Sequence, residues 1–252
     1  MFFHPNWDSR SVKEYDEQTL QRFQYNSYSV SHYLLVALRK YKYLTDGSYN
    51  SIGVYLSFND QAFNYDRVAW KSLHDLHCSI IVTKVKFEEY LQETDIERRY
   101  EFYLSCLEQG YHYINTHKKI PKDLLLNLHD EFRKSGYKNE ILFKQLCYKS
   151  LGIKVVFTKV LTTFDFHLVI NAYDSKTGEV RAEGTIFRTA PDDIFYEYLI
   201  KKVQVIEGSI VILDFLAQPS FIIDIPAFAR GVFWLSMRGL CLMKKNSCGK
   251  TS

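Results

Sequence analysis

The chain has 252 residues, 46% apolar and 24% charged, with a mean hydropathy of −0.22. These proportions exclude a disordered chain, a collagen-like chain and a polytopic membrane protein, and leave one large domain or two small ones with enough core to need no disulfide or metal staple. The formal charge of +3 is too small to steer nucleic acid or membrane by bulk field, so any such partner would need a local patch.

Ser11-Val12-Lys13-Glu14 has the form of a capping box, with a serine oxygen for an orphan helix N–H and a glutamate that reaches back. It predicts a helix over about 12–24 that buries Tyr15, Leu20 and Phe23. In residues 34–43, Val36 and Leu38 fall in step with Lys40 and Lys42, as in a strand. Tyr33, Val36, Ala37, Lys40 and Tyr41 also share a helical face, so both assignments stand. After the turn-rich stretch 45–50, Ile52, Val54, Leu56 and Phe58 alternate as a half-buried strand, the second arm of a β-hairpin if 34–43 is the first. Residues 79–85 read as a third, central strand.

From 95 to about 116 the period is helical: Ile96, Tyr100, Leu104, Leu107, Tyr111 and Ile114 recur at steps of three and four, with Glu97, Arg98, Glu101 and Glu108 toward water. Pro121 suits the first turn of another helix, whose stripe is Leu124, Leu125, Leu128 and Phe132 and whose left-handed stop is Gly136. Strands follow at 154–161 and 164–173, the second with Phe164, Phe166, Leu168 and Ile170 on one face. The turn 174–178 returns the chain into a strand over 179–188. Pro191-Asp192-Asp193 opens a helix to Lys202. Residues 203–206 and 210–215 flank Glu207-Gly208 as a hairpin, and 221–223 add an edge strand.

Strands, then helices, then strands imply an α+β fold with antiparallel sheets and two or three helices packed on one side. Residues 135–152 mark a boundary between an N-terminal α+β lobe, 1–150, and a C-terminal β-rich lobe, 151–252, unless the two form a single domain. The apolar run 231–243 is shorter than the roughly 20 residues of a spanning helix and contains Arg238. It reads as a buried terminal element, and no membrane partner is expected. Five cysteines, Cys78, Cys106, Cys147, Cys241 and Cys248, form no CxxC pair, and the N-terminus has no basic region followed by an apolar run. Both point to a cytoplasmic protein.

Groups with chemical potential are scattered. His74-Asp75-Leu76-His77-Cys78 holds two imidazoles that a helix would place on one face, but no second element supplies the three or four ligands a zinc ion needs. His112 and His117 stand five apart on a predicted helix, about 140° from one another. Asp165 and His167 share a strand face, where a carboxylate can orient an imidazole, yet no nucleophile motif accompanies them. The pairs Glu88-Glu89 and Asp192-Asp193 lack the settings of metal-assisted phosphoryl chemistry, and Asp192-Asp193 suits the first turn of a helix. Phosphate-binding glycine loops are absent. Arg39-Lys40-Tyr41-Lys42-Tyr43 could stack bases from a strand, but one basic stripe on a near-neutral chain does not make a nucleic-acid surface. No catalytic residue, metal ligand or cofactor is assigned.

The stretch from about 30 to 175 resembles the α+β immunity proteins that bacteria encode beside polymorphic or contact-dependent toxins. The likeness rests on the hairpin ending Ile52-Gly53-Val54-Tyr55-Leu56-Ser57-Phe58-Asn59-Asp60, the strand running into Phe87-Glu88-Glu89-Tyr90-Leu91, the helix from Glu97 to Ile114, and Phe164-Asp165-Phe166-His167-Leu168-Val169-Ile170. It implies a non-enzymatic cytosolic protein that binds a cognate toxin and blocks its active site or substrate access. An aromatic content of 16% supplies residues favoured at protein interfaces. Aromatics set among acids mark Asp192, Asp193, Phe195, Tyr196, Glu197 and Tyr198 as the candidate partner-binding set. The competing classes are a metal-dependent hydrolase or nuclease and a single-stranded nucleic-acid-binding protein.

Overall fold

A computed structural model describes residues 3–7, 15–43, 45–57, 65–70, 73–230, 232–237 and 240–244 of an α+β chain. Contacts divide it into one unit of residues 1–139 with 162–164 and a second of residues 140–161 with 165–252.

In the first unit, β1 (Phe3–Trp7), β2 (Ser51–Ser57), β4 (Leu73–Ile81) and β3 (Tyr65–Trp70) lie in the order β1-β2-β4-β3. The first two pairings are parallel and the third antiparallel, so this sheet is mixed. Helix α1 runs Glu17–Tyr41, capped by the Asp16 carboxylate, which accepts from the Thr19 N–H at 2.8 Å. The capping box at Ser11 lies outside the described residues. Residues 34–41 are the last turns of α1 and not a strand, because Val30, Leu34, Ala37 and Leu38 bury one helical face. The helix stops at Lys42, in the left-handed region at φ 48°, so the hairpin expected between 34–43 and β2 is absent.

The predicted strand at 79–85 is the end of β4, which stops at Ile81. Thr83 then caps α2 (Lys84–Gln92), its hydroxyl accepting from the Lys86 N–H at 3.3 Å. Helix α3 (Ile96–His117) starts where the Asp95 carboxylate accepts from the N–H groups of Glu97 and Arg98, and it buries the stripe from Tyr100 to Ile114. Alternation along β2 and β4 buries Ile52, Val54, Leu56, Leu76, Cys78 and Ile80, and these side chains share a core with those of α1, α3 and α4.

Gly110 sets the closest approach of α3 to this sheet. A Cβ at that position would lie 2.4 Å from one methyl of Val54 and 3.3 Å from the Cys78 sulfur. The Cys78 thiol in turn donates to the Gly110 carbonyl at 3.7 Å.

Helix α4 (Lys122–Lys134) packs on α3 through Leu125, Leu128 and Phe132 and a polar seam. Arg133 donates to both oxygens of Glu101, at 2.8 and 3.0 Å, and to Glu108 at 2.9 Å; Tyr137 donates to Glu101 at 2.6 Å. The fully buried His129 ring bonds Glu108 through Nδ1 at 2.9 Å. Glu108, expected to face water, is therefore drawn into this seam by partners on α4. The His129 hydrogen bond, working against burial and helped by Arg133, holds the Glu108 carboxyl below the usual range.

The second unit is antiparallel throughout. One sheet has the order β5-β6-β7-β8, from β5 (Glu140–Tyr148), β6 (Ile153–Leu161), β7 (Phe166–Asp174) and β8 (Val180–Thr189). The other has the order β13-β12-β11-β10-β9, from β9 (Lys202–Ile206), β10 (Ser209–Leu213), β11 (Pro219–Asp224), β12 (Phe233–Met237) and β13 (Leu240–Lys244). A short helix, α5 (Ile225–Ala229), links β11 to β12. Val155, Phe157, Leu168, Ile170, Ile212 and Ile223 belong to the buried faces, and Phe187 of β8 stacks on Phe221 of β11 with centroids 5.1 Å apart.

Two expectations change here. The stretch 221–223 lies in β11, which has β10 on one side and β12 on the other, so it is not an edge. The apolar run 231–243 falls largely in the hairpin β12–β13, and the burial expected of it lies outside the described residues. No helix among the described residues is long and apolar enough to cross a membrane. The helix expected over 191–202 is a single 3₁₀ turn at Asp193–Phe195.

Gly110→Ala is expected to lower stability by about 1–3 kcal/mol through overpacking, despite the better helix propensity of alanine. Adding Val54→Ala should recover part of that loss in the double-mutant cycle, read by denaturant melts. A depressed carboxyl contributes stability above its unfolded value, about 4.3 for glutamate, and loses it as pH falls through the folded value. Glu108→Gln should therefore lower the melting temperature near pH 7 and shrink the drop between about pH 5 and pH 3.

Candidate protein-binding surface

The segment between β8 and β9 is built on one ring. Tyr196 is 2% exposed and lies parallel to Phe166, with centroids 3.6 Å apart. Asp192 starts the preceding turn, its carboxylate accepting from the Ile194 N–H at 3.1 Å. Burial pushes the Asp192 carboxyl up, and the neighbouring Asp193 carboxylate adds to the rise. One more turn follows, closed by the Leu199 N–H on the Tyr196 carbonyl at 3.0 Å, and the chain then stops coiling because the sheet takes its backbone: the Phe215 N–H donates to the Tyr198 carbonyl and the Lys201 N–H to the Leu213 carbonyl, both at 2.8 Å. Tertiary hydrogen bonds thus override the weak helical preference of residues 191–202.

The same bond brings the loop between β10 and β11 beside Tyr198. Asp214 organises that loop. Its carboxylate accepts from the N–H groups of Leu216 and Gln218, each at 2.8 Å. Its own N–H donates to the Gln218 carbonyl at 2.9 Å, and its carbonyl accepts from Ala217, which sits at φ 58°. The result is a tied turn that holds Phe215 72% and Leu216 70% exposed, next to Tyr198 at 56%. Burying a side chain of this kind is worth about 1.5–3 kcal/mol. This turn forgoes that gain twice while fixing the backbone that carries both residues.

Of the six residues expected to face a partner, Glu197 and Tyr198 are exposed, while Asp192, Asp193 and Phe195 are half-buried. Glu197 pairs with Lys159 at 3.4 Å. Tyr196 is corrected to a core residue: its ring is packed against Phe166 and is not offered at the surface. Phe215 and Leu216 were not singled out from the sequence, where Phe215 reads as the end of a strand. The available signal is the pair of large apolar residues between Asp214 and Pro219, where the strand alternation has already ended.

The other candidate groups are dispersed over the fold. Asp165 accepts from the His167 ring at 2.5 Å on one oxygen and from Arg188 Nε at 2.6 Å on the other, which the Arg188 Nη2 also reaches. His167 and Arg188 face each other across β7 and β8, so the carboxylate clamps these strands at the end of the sheet. His74 and His77 fall on strand β4, where a separation of three puts the two positions on opposite faces, not on a shared helical one. The His77 ring meets Tyr55 edge-on at 5.2 Å. Burial raises the thiols of Cys78 and Cys106 to about 12, the state of inert core cysteines. His112 and His117 lie on α3, where His117 Nδ1 is within 2.9 Å of the Thr116 hydroxyl. Glu88 and Glu89 lie on α2, and Glu88 accepts from Tyr15 at 3.4 Å. Residues 39–43 are the end of α1 and its cap, with Tyr41 donating to Glu131 at 2.8 Å, so they are not a base-stacking strand. Among the described residues, no three His, Cys, Asp or Glu side chains are grouped to hold a metal ion.

No protein-family model, curated protein or solved structure matches this chain.

Tyr196→Ala should cost about 3–5 kcal/mol, as for other large buried aromatics, whereas Tyr198→Ala should stay within about 0.5 kcal/mol of wild type. Thermal melts of the two variants read the contrast directly.

Proposed function

We propose that this protein is a stoichiometric binding protein of the immunity type, which neutralises a cognate toxin by covering its active site or the path of its substrate. One observation carries the reading: Phe215 and Leu216 stand in solvent on a turn whose backbone is already tied by Asp214. Interfaces draw most of their affinity from a few large anchors that enter pockets on the partner, and affinity rises when the anchor is held in its bound shape beforehand. A tied turn with two exposed apolar side chains and Tyr198 at its flank fits that role. The resemblance of residues 30–175 to immunity proteins supports the choice of partner class. The toxin face that receives this turn is an apolar pocket.

The test is co-expression with the toxin domain that an adjacent gene would encode under this reading. Wild type should restore growth, and Phe215→Ala with Leu216→Ala should abolish protection and weaken the purified complex by about 100-fold or more, with the melting temperature unchanged. Failure of wild type to protect, or full protection by the double variant, overturns the reading. So does zinc or manganese retained through purification at about one ion per chain, which favours a metal-dependent hydrolase.

A further inference from the structure

Strand β9 ends its sheet. It is joined to β10 by the two-residue turn Glu207-Gly208, with Ile206 opposite Ser209 and Lys202 opposite Leu213. In such a hairpin Ile206, Gln204 and Lys202 exchange bonds with β10, and the N–H and C=O groups of Val203 and Val205 point away from the sheet. Among the described residues nothing pairs with them. Natural edges of this kind are blunted by charge spread along the strand, by proline or by a bulge. Here the charge is confined to the ends. Lys201 and Lys202 are exposed at the start and Glu207 just past the finish, while Val205 and Ile206 between them are 49% and 44% exposed.

That arrangement is complementary to itself when reversed. We infer that β9 pairs with β9 of a second copy of this chain, antiparallel across a two-fold axis at Gln204. By the count of residues, Val203 then faces Val205 of the partner subunit, a hydrogen-bonded pair that uses the free N–H and C=O groups of both. Lys201 faces the partner's Glu207, and Lys202 faces the partner's Ile206. A parallel pairing would stack lysine on lysine, so the charges select the antiparallel one. Each copy contributes the same patch, as a two-fold interface requires.

Sedimentation equilibrium of the purified full chain tests this. Wild type should sediment at twice 29.8 kDa at micromolar concentrations. Val205→Pro removes only the outward N–H, so it should yield a folded monomer, checked by its melt. Glu207→Lys, which sets lysine against lysine, should raise the dimer dissociation constant about tenfold or more, and Lys201→Glu in the same chain should restore it. A wild-type monomer at about 100 μM overturns the inference, since micromolar association would be saturated there. So does a Glu207→Lys variant that dimerises as wild type does. These readings are independent of toxin binding, because none involves Phe215 or Leu216.

Discussion

A helix approaches a sheet only as closely as its largest facing side chain permits, and in the first unit Gly110 removes that limit. With no Cβ to hold it off Val54, α3 comes near enough for its carbonyl to receive the Cys78 thiol. The consequence runs through the unit. Residues on either side of Gly110 bring Leu107, Tyr111 and Ile114 to complete burial, and α4 then packs on α3 through Leu125, Leu128 and Phe132. Because Glu101 and Glu108 face α4, the Arg133, His129 and Tyr137 bonds form only with α3 at this position. The buried ring of His129 is thus held by a carboxylate through Nδ1.

The second unit rests on rings instead of a glycine. Phe166 begins β7, and its stack with Tyr196 ties down the chain between β8 and β9. That anchorage places Tyr198 where its carbonyl can receive the Phe215 N–H, which fixes the base of the turn carrying the exposed pair. An aromatic ring that looks like an interface residue by composition is therefore what holds the exposed residues of the turn in place. Tyr196 acts through Tyr198 and Phe215 and would not touch a partner.

How far the sequence could be read follows from which forces leave a local pattern. Helix α3 and strands β6, β7 and β8 show their period in apolar residues because each buries one face, and they lie within two residues of where that period puts them. Strand β5 left a broken trace: Ile141, Phe143, Leu146 and Tyr148 are its half-buried positions, but Leu142 and Cys147 are exposed apolar residues between them and the register shifts after Leu142, so the alternation changes phase within the strand. The hinge from β4 to α2 was hidden because Thr83 caps a helix that buries only Phe87 and Tyr90, too few to impose a stripe. Residues 34–43 satisfied two periods equally, and burial of Leu34 and Ala37 against a distant part of the chain decided between them. The candidate surface was half legible for the same reason. Glu197 and Tyr198 show as polar and aromatic neighbours, but exposure of Phe215 and Leu216 depends on Asp214 closing a turn, and no periodicity records that.

Exposed apolar area is restrained in natural monomers, so two separate instances in one sheet call for separate uses. The tied turn lies at the Lys202–Leu213 end of the β9–β10 pair, and Val205 and Ile206 lie toward the Glu207–Gly208 end. Antiparallel union of two β9 strands would join two five-stranded sheets and set the two turns at opposite ends of the paired strands. Each turn would still be borne by its own Asp214, so pairing alters neither anchor. What it would change is number: under the proposed function, an assembly with two turns at opposite ends would bind two copies of a partner, or one partner that is itself two-fold, and in the second case the linked sites would raise the effective concentration without any new contact.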